Sequence, residues 1–445
     1  MFKKLLLTTA FSLALLPVAG TANAADLGGD CCADLEERVA TLEATTARKG
    51  NRKMSLTVSG WVSQAILVWD DGEESDAYIV SDTTDLSNNI SFAGSAKINS
   101  DWSAGYHINV FFDNASALFV DQTNDDASNG ITVERANLWI KSESLGKVTI
   151  GQQSATGDNV AILADFSGTL FPANNVIFDG AFMFLRPKGG TGLASGRFAN
   201  LAFCNSVSFG IGSDCNGFRT NAIRYDSPTL AGFSVSASWG EDDKYEGAIK
   251  YGNKWQDYQV SAAVGYGITH GEGTPGQGVA SRSEFLQIGA MVKHLPSNLW
   301  IYGSWDTEDT DSANFSDGTQ LYLKAGWSPK LNSLGTTHFW FEYGKIEDRH
   351  GNYASGANTC AAFDGTGANL DGACASAADA TVNVTGSEIT RLGAGIQQQI
   401  DAASMQIYAK WRMMEAEVDF NDAGVAGSEE FEELHMFMAG GVIFF

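Results

Sequence analysis

From about residue 55 to its C-terminus this sequence alternates apolar and polar residues with a period of two, and the polar phase carries charge. That period puts successive side chains on opposite faces of a β-strand. In residues 89–99, Ile90, Phe92, Gly94, Ala96 and Ile98 share one face, and Ser91, Ala93, Ser95, Lys97 and Asn99 the other. The pattern returns in 102–110, 233–239, 258–268 and 404–413; in the last of these, Ile407, Ala409 and Trp411 oppose Gln406, Tyr408, Lys410 and Arg412. About sixteen such segments are legible, starting near residues 55, 89, 102, 131, 147, 220, 233, 244, 257, 283, 299, 317, 335, 387, 404 and 430.

The charged phase decides which face is wet. Lys97, Arg135, Arg224, Lys250, Arg391, Lys410 and Arg412 all lie on it. So many charges cannot fill a dry core. A wide, closed, antiparallel transmembrane β-barrel lets them line water while the apolar phase meets hydrocarbon, and it pairs every backbone group. No stretch of the mature chain approaches the roughly 20 uninterrupted apolar residues of a spanning helix. Aromatic residues near segment ends, such as Trp102, Trp239, Tyr251, Trp305, Trp327 and Tyr343, suit the two membrane interfaces. The connections alternate short, as at 100–101 and 253–256, with long and polar, as at 70–88 and 349–386. That asymmetry belongs to an outer-membrane barrel rather than a soluble sandwich.

At residues 154–219 the alternation stops for far longer than an ordinary connection. This stretch carries Asp158, Asp165 and Asp179, a cluster of glycines, and the pair Cys204 and Cys215. It is expected to fold into the lumen as a constriction.

The N-terminus has the layout of a secretory signal. Lys3 and Lys4 precede an apolar region at 5–20 and the small-residue site Ala22-Asn23-Ala24, so residues 1–24 are expected to be removed. The formal charge then moves from −25 to −27, with 26 basic against 53 acidic residues. Such a balance excludes a nucleic-acid partner and leaves acidic loops solvated on an outer surface. Residues 25–54 read as a short periplasmic segment. Within it Leu35, Val39 and Leu42 form a two-heptad coiled-coil seam, which needs partner copies to be stable. Residues 55–445 form the barrel. In an oxidising compartment Cys204 with Cys215, and Cys360 with Cys374, are disulfide candidates, each worth roughly 3 kcal/mol by loop closure. Adjacent Cys31 and Cys32 are better placed to link neighbouring chains.

In the last segment, residues 430–445, Phe437, Ala439, Gly441, Ile443 and the terminal Phe445 alternate. This resembles the signal read by the barrel-insertion machinery, with Phe437, Ile443 and Phe445 as its apolar positions. The segment entering the interrupting stretch reads GQQSATGDNVAILADFSGT, from Gly151-Gln152-Gln153 to Ser167-Gly168-Thr169. With these features the chain resembles the trimeric general porins of alphaproteobacterial outer membranes. The resemblance implies a 16-stranded barrel with an inward-folded third loop. It also implies a homotrimer among outer-membrane lipids and lipopolysaccharide, and passive diffusion of small hydrophilic solutes and ions. Barrels of this kind that begin Ala-Asp after signal removal can be attached to peptidoglycan there, and Ala25-Asp26 matches.

Such a channel needs no enzymatic step and no cofactor; it needs a wet path with a transverse field. Asp158, Asp165 and Asp179 on the loop facing Arg135, Arg224, Arg391, Lys410 and Arg412 on the wall would supply it. The acidic mouth leans towards cations, whereas Arg186, Lys188, Arg197 and Arg219 on the loop oppose it, so selectivity stays open. Two other roles remain alternatives: a substrate-selective channel, and a structural tether between outer membrane and peptidoglycan. No G-x-S-x-G motif supports a hydrolase, and the six His show no metal-ligand spacing. Gly271 to Gly276 fits G-x-G-x-x-G but contains Pro275 and opens no helix.

Overall fold

The computed structural model describes residues 53–81, 87–128, 130–176, 179–190, 192–194, 196–204, 210–211, 219–241, 243–270, 282–311, 316–350, 382–422 and 425–445. Outside them lie the expected signal, the coiled-coil segment with Cys31 and Cys32, the G-x-G-x-x-G stretch, and Cys215, Cys360 and Cys374.

The strands are β1 (Thr57–Asp70), β2 (Ser75–Val80 and Asn89–Lys97), β3 (Trp102–Phe112), β4 (Ile131–Ser142), β5 (Gly146–Ser154), β6 (Arg219–Asp226), β7 (Phe233–Gly240) and β8 (Lys244–Trp255). Then follow β9 (Tyr258–His270), β10 (Arg282–His294), β11 (Leu299–Thr310), β12 (Gly318–Trp327), β13 (Thr337–Glu347), β14 (Val382–Ile400), β15 (Met405–Asp422) and β16 (Val425–Glu430 and Leu434–Phe444). Each pairs antiparallel with its sequence neighbours, and β1 pairs with β16 from Trp61↔Phe444 to Asp70↔His435, which closes a 16-strand barrel. No described helix is long and apolar enough to cross a membrane.

Strands β2 and β16 each occupy one position in two pieces. Residues 75–80, expected to be loop, pair with the upper half of β1, and 89–93 pair with its lower end. Opposite the gap the Ser63 N–H donates to the Asn88 side chain at 2.6 Å. In β16 the break at Phe431 is bridged by the inserted loop: Glu432 N–H donates to the Arg186 carbonyl at 2.7 Å, and Lys188 N–H to the Glu430 carbonyl at 3.2 Å. At each break a group from outside the regular ladder thus takes over part of the pairing that a membrane wall requires.

Most outward positions are apolar, as the alternation implies. On β12, for example, Leu321 and Leu323 are 38% and 43% exposed while the alternating Tyr322 and Lys324 are buried. A bulge between β3 and β4 re-sets the phase: Asn109 faces Arg135 and Val110 faces Val133, so Glu134 is the extra residue. Val133 and Leu138 therefore both face outward although five residues apart, and Arg135 keeps its inward aim.

One expectation fails on part of the wall. The inward face of β1 is apolar too from Ala65 to Trp69: Ala65, Leu67 and Trp69 are buried and alternate with outward Ile66 and Val68. They join Tyr78, Val80, Met414, Met436 and Met438 in an apolar cluster with Leu118, Val120, Met183, Leu185 and Phe198 from the loops. Part of the lumen is thus a packed core, made by two loops that fold inward.

A charge on the hydrocarbon face should be costly. Leu323→Lys is expected to lower stability in lipid vesicles by about 2–4 kcal/mol, read as a shift of the urea midpoint. Asn137→Lys, on the inward face, should leave that midpoint nearly unchanged.

Candidate functional site

The interrupting stretch leaves β5 at Ser154 and is fastened to the wall strand by strand. The Arg135 guanidinium donates to Ser154 Oγ at 2.8 Å, and Arg224 Nη1 donates to the carbonyls of Ser154 and Ala155 at 3.2 and 3.1 Å. Thr156 N–H then donates to Ser238 Oγ on β7 at 2.8 Å, and Gly157 N–H to Glu246 on β8 at 2.7 Å. Gln287 on β10 binds both the Gly157 carbonyl, at 2.6 Å, and Ala161 N–H, at 2.8 Å. The approach is close enough that a Cβ on Gly289 would stand 2.3 Å from the Ala161 carbonyl oxygen, so only glycine fits there.

Buried charge fixes the next turn of the loop. Asp165 lies 2.6 Å from Lys324 on β12, which also donates to the Ala173 carbonyl at 2.7 Å. Arg391 on β14 donates to the carbonyls of Asn174 and Val176 at 3.0 Å each. Asp179 takes Lys410 at 2.6 Å and Arg412 at 2.7 Å, both from β15, and Arg412 also holds Glu342 of β13 at 2.9 Å. These side chains are all less than a tenth exposed. The charges are desolvated, so each depends on its partner.

Further along, Arg186 is buried against Asp71 at 2.9 Å. Lys188 stands exposed on Glu430 at 2.6 Å, and that hydrogen bond holds its ammonium above the ordinary lysine range. Cys204 is disulfide-bonded. Among the described residues no set of His, Cys, Asp and Glu is placed to hold a metal.

Because the loop hugs β7 to β15, it leaves open the side under β2 to β6. A cavity of about 690 Å³ lies there, between residues 154–174 and the wall. Five bases line it (Arg135, Lys147, Arg219, Arg224 and Lys250) against two carboxylates, Asp158 and Asp226. Both carboxylates are spent: Asp158 on Arg219 at 2.9 Å and Asp226 on Arg224 at 2.7 Å. Arg135, Lys147 and Lys250 line the cavity without a carboxylate within ion-pair distance among the described residues. His107 lines it too, 3.4 Å from Ser91 Oγ.

A barrel closed on itself, with a loop bent inside it and a charged opening beside that loop, is the frame of a diffusion pore. A family model described as Gram-negative porin matches residues 8–430. The chain belongs to the Gram-negative porin family. Its fold is shared by an anion-selective porin from Comamonas acidovorans, at 16% identity and a TM-score of 0.56, covering 88% of this chain and 100% of that one. In-vitro folded OmpT of Vibrio cholerae, in its trimer form, is similar at 13% identity and a TM-score of 0.50, covering 88% and 99%. No curated protein sequence matches it. This porin is a diffusion channel of the outer membrane, in a family and fold of non-enzymatic channels.

The porin divides the expected site residues into two groups. Asp158, Arg135 and Arg224 come together around the cavity. Asp165, Asp179, Arg391, Lys410 and Arg412 come together elsewhere, as buried contacts between loop and wall. Lys324 and Glu342, on which that second group depends, and Lys147 in the cavity were not singled out. Strand phase marks all three: Lys324 lies between Leu323 and Ala325, and Glu342 between Phe341 and Tyr343. Lys147 was obscured by its place at the start of a strand.

Removing Lys324 strands the Asp165 carboxylate. Lys324→Met is expected to cost about 3–5 kcal/mol of loop docking, read as faster amide exchange over residues 155–176 with the barrel strands still protected. The double variant Lys324→Met, Asp165→Leu should recover most of that protection.

Proposed function

We propose that this porin is a general diffusion channel for small hydrophilic solutes with a preference for anions. The observation that carries this reading is the excess of bases around the cavity, five against two, with both carboxylates already paired. In a narrow, low-dielectric passage three bases outside any close ion pair raise the local anion concentration. The acidic outer loops act from farther away, where physiological salt, with a Debye length of about 8 Å, screens them. The reading is of a channel without a chemical step; hydrolysis of ester or peptide substrates by the purified protein would count against it.

We also infer a homotrimer. On β1, β3, β4 and β5 the large exposed apolar side chains are all aliphatic, among them Val62, Ile66, Ile108, Leu138 and Ile150. On β7 to β12 they include Phe233, Trp239, Tyr245, Tyr266, Trp305 and Trp327. Aromatic side chains favour the interface between lipid and water. Their scarcity on one side of the barrel suits contact with other protomers, while the rest of the wall meets outer-membrane lipid and lipopolysaccharide. The terminal strand suits recognition by the barrel-assembly machinery, because Phe437 and Ile443 face outward and Phe445 pairs its backbone with Gly60. Deleting Phe445 should lower the yield of protein in the outer membrane; an unchanged yield would count against that role.

The selectivity test is a planar bilayer held between unequal KCl concentrations. The reversal potential should have the sign of chloride permeating faster than potassium, and the channel should close in three equal steps. Replacing Arg135, Lys147 and Lys250 with Gln should move the potential towards potassium. A potassium preference in the parent protein would show that the acidic mouth governs.

A further inference from the structure

We propose that Trp139 and Lys147 form a transit subsite for small planar carboxylates, acids whose carboxylate is attached to an aromatic ring. This rests on the anion preference above and names the class of anion that is held longest.

Trp139 is an inward-facing side chain of β4, between outward Leu138 and Ile140, and it lines the cavity. An indole on the wet face of a pore wall gains nothing from lipid, so its position calls for another account. Its ring lies on the wall itself. It stands over Gly105, where an added Cβ would be 2.4 Å from Trp139 Cζ2. Glycine on β3 is therefore what lets the indole lie against the wall while it lines the cavity.

The second half of the subsite is Lys147 on β5. Its ammonium stands over the Trp139 ring, 5.3 Å from the centre, a contact that it exchanges for a solute's carboxylate. The geometry follows from register: Trp139 pairs with Thr149, and Lys147 lies two residues back along the same strand, a step of about 7 Å. Thr149 in turn pairs with Arg224 on β6, so Trp139, Thr149 and Arg224 form one row across the wall. The Arg224 guanidinium is already occupied by Asp226 and two loop carbonyls. Lys147 is the nearer charge left for a solute.

A carboxylate that approaches Lys147 brings whatever it is attached to over the indole. A planar conjugated ring can stack there in the offset manner that aromatic pairs prefer. A saturated ring of equal charge and similar size gains only contact area. A small hydrated anion such as chloride uses the lysine and ignores the ring. The pair therefore adds discrimination by shape to a pore whose other bases discriminate only by charge. Its location, on the side of the lumen that the inserted loop leaves open, puts it on the permeation path rather than behind the loop.

The test uses the whole channel in a planar bilayer, with benzoate and cyclohexanecarboxylate as probes of the same charge. Chloride current should be blocked saturably by both, with benzoate effective at about fivefold lower concentration, the factor equivalent to roughly 1 kcal/mol of stacking. Trp139→Leu should bring the two half-blocking concentrations together without changing the KCl reversal potential. Trp139→Phe should keep most of the difference. Lys147→Gln should raise both concentrations. Equal block by the two acids in the parent channel would overturn the subsite, as would a difference that survives Trp139→Leu. The reversal potential, taken from the same membranes, separates the two readings. An anion-selective channel with equal block removes only the subsite, and a cation-selective one removes the anion preference on which it rests.

Discussion

Everything in this porin depends on backbone hydrogen bonding in a medium that offers none. In hydrocarbon an unpaired N–H or C=O costs several kcal/mol, so the sheet has to close. Closure is made by β1 and β16, down to the reciprocal bonds between Gly60 and Phe445 at 2.9 and 3.0 Å. Where the wall is irregular, something else completes the pairing: the Asn88 side chain in β2, and the inserted loop itself in β16. The loop is thus a component of the wall as well as an occupant of the lumen.

The same rule applies within the lumen. A segment of some sixty residues whose described regular elements are only short ones, such as Ile162–Ala164 and Ala199–Ala202, has many backbone groups to satisfy. The wall supplies partners from its inward phase: Gln287, Lys324, Arg391 and Lys410 all donate to loop carbonyls. Asp165 and Asp179 then neutralise the lysines and Arg412, and Glu342 completes the cluster. One consequence is functional. Bases used in this way are withdrawn from the pore, whereas those lining the cavity under β2 to β6, together with Lys250 of β8, remain to act on solutes.

Much of this was legible from pattern. Strand phase located the lumen face, the stop in alternation located the inserted loop, and most strand starts agree with the structure to within two residues. Three features were missed because a local rule was overridden. Residues 75–80 and 425–430 are strands too short to show a run of alternation, and their register is set by pairing with the ends of β1 and β15. The bulge at Glu134 shifts phase in mid-strand. The run Ala65 to Trp69 is apolar on both faces because it is covered by lipid outside and by loops inside. An uninterrupted apolar run in an otherwise alternating wall was the available signal for that packed region.

The sequence by itself determined the barrel, its sidedness and the set of charges that point inward. These follow from a period of two and from the cost of placing charge in hydrocarbon, both of which are local. It did not determine which of those charges meet water. Arg135 and Arg391 share the same inward phase, yet one lines the cavity and the other is buried under Val176 and Asn174. What separates them is the course of residues 155–179 across the lumen, and that course is set by contacts between groups far apart in the chain. Only the tertiary structure decides it, because a strand's phase records which side a residue faces and carries no record of what arrives to cover it.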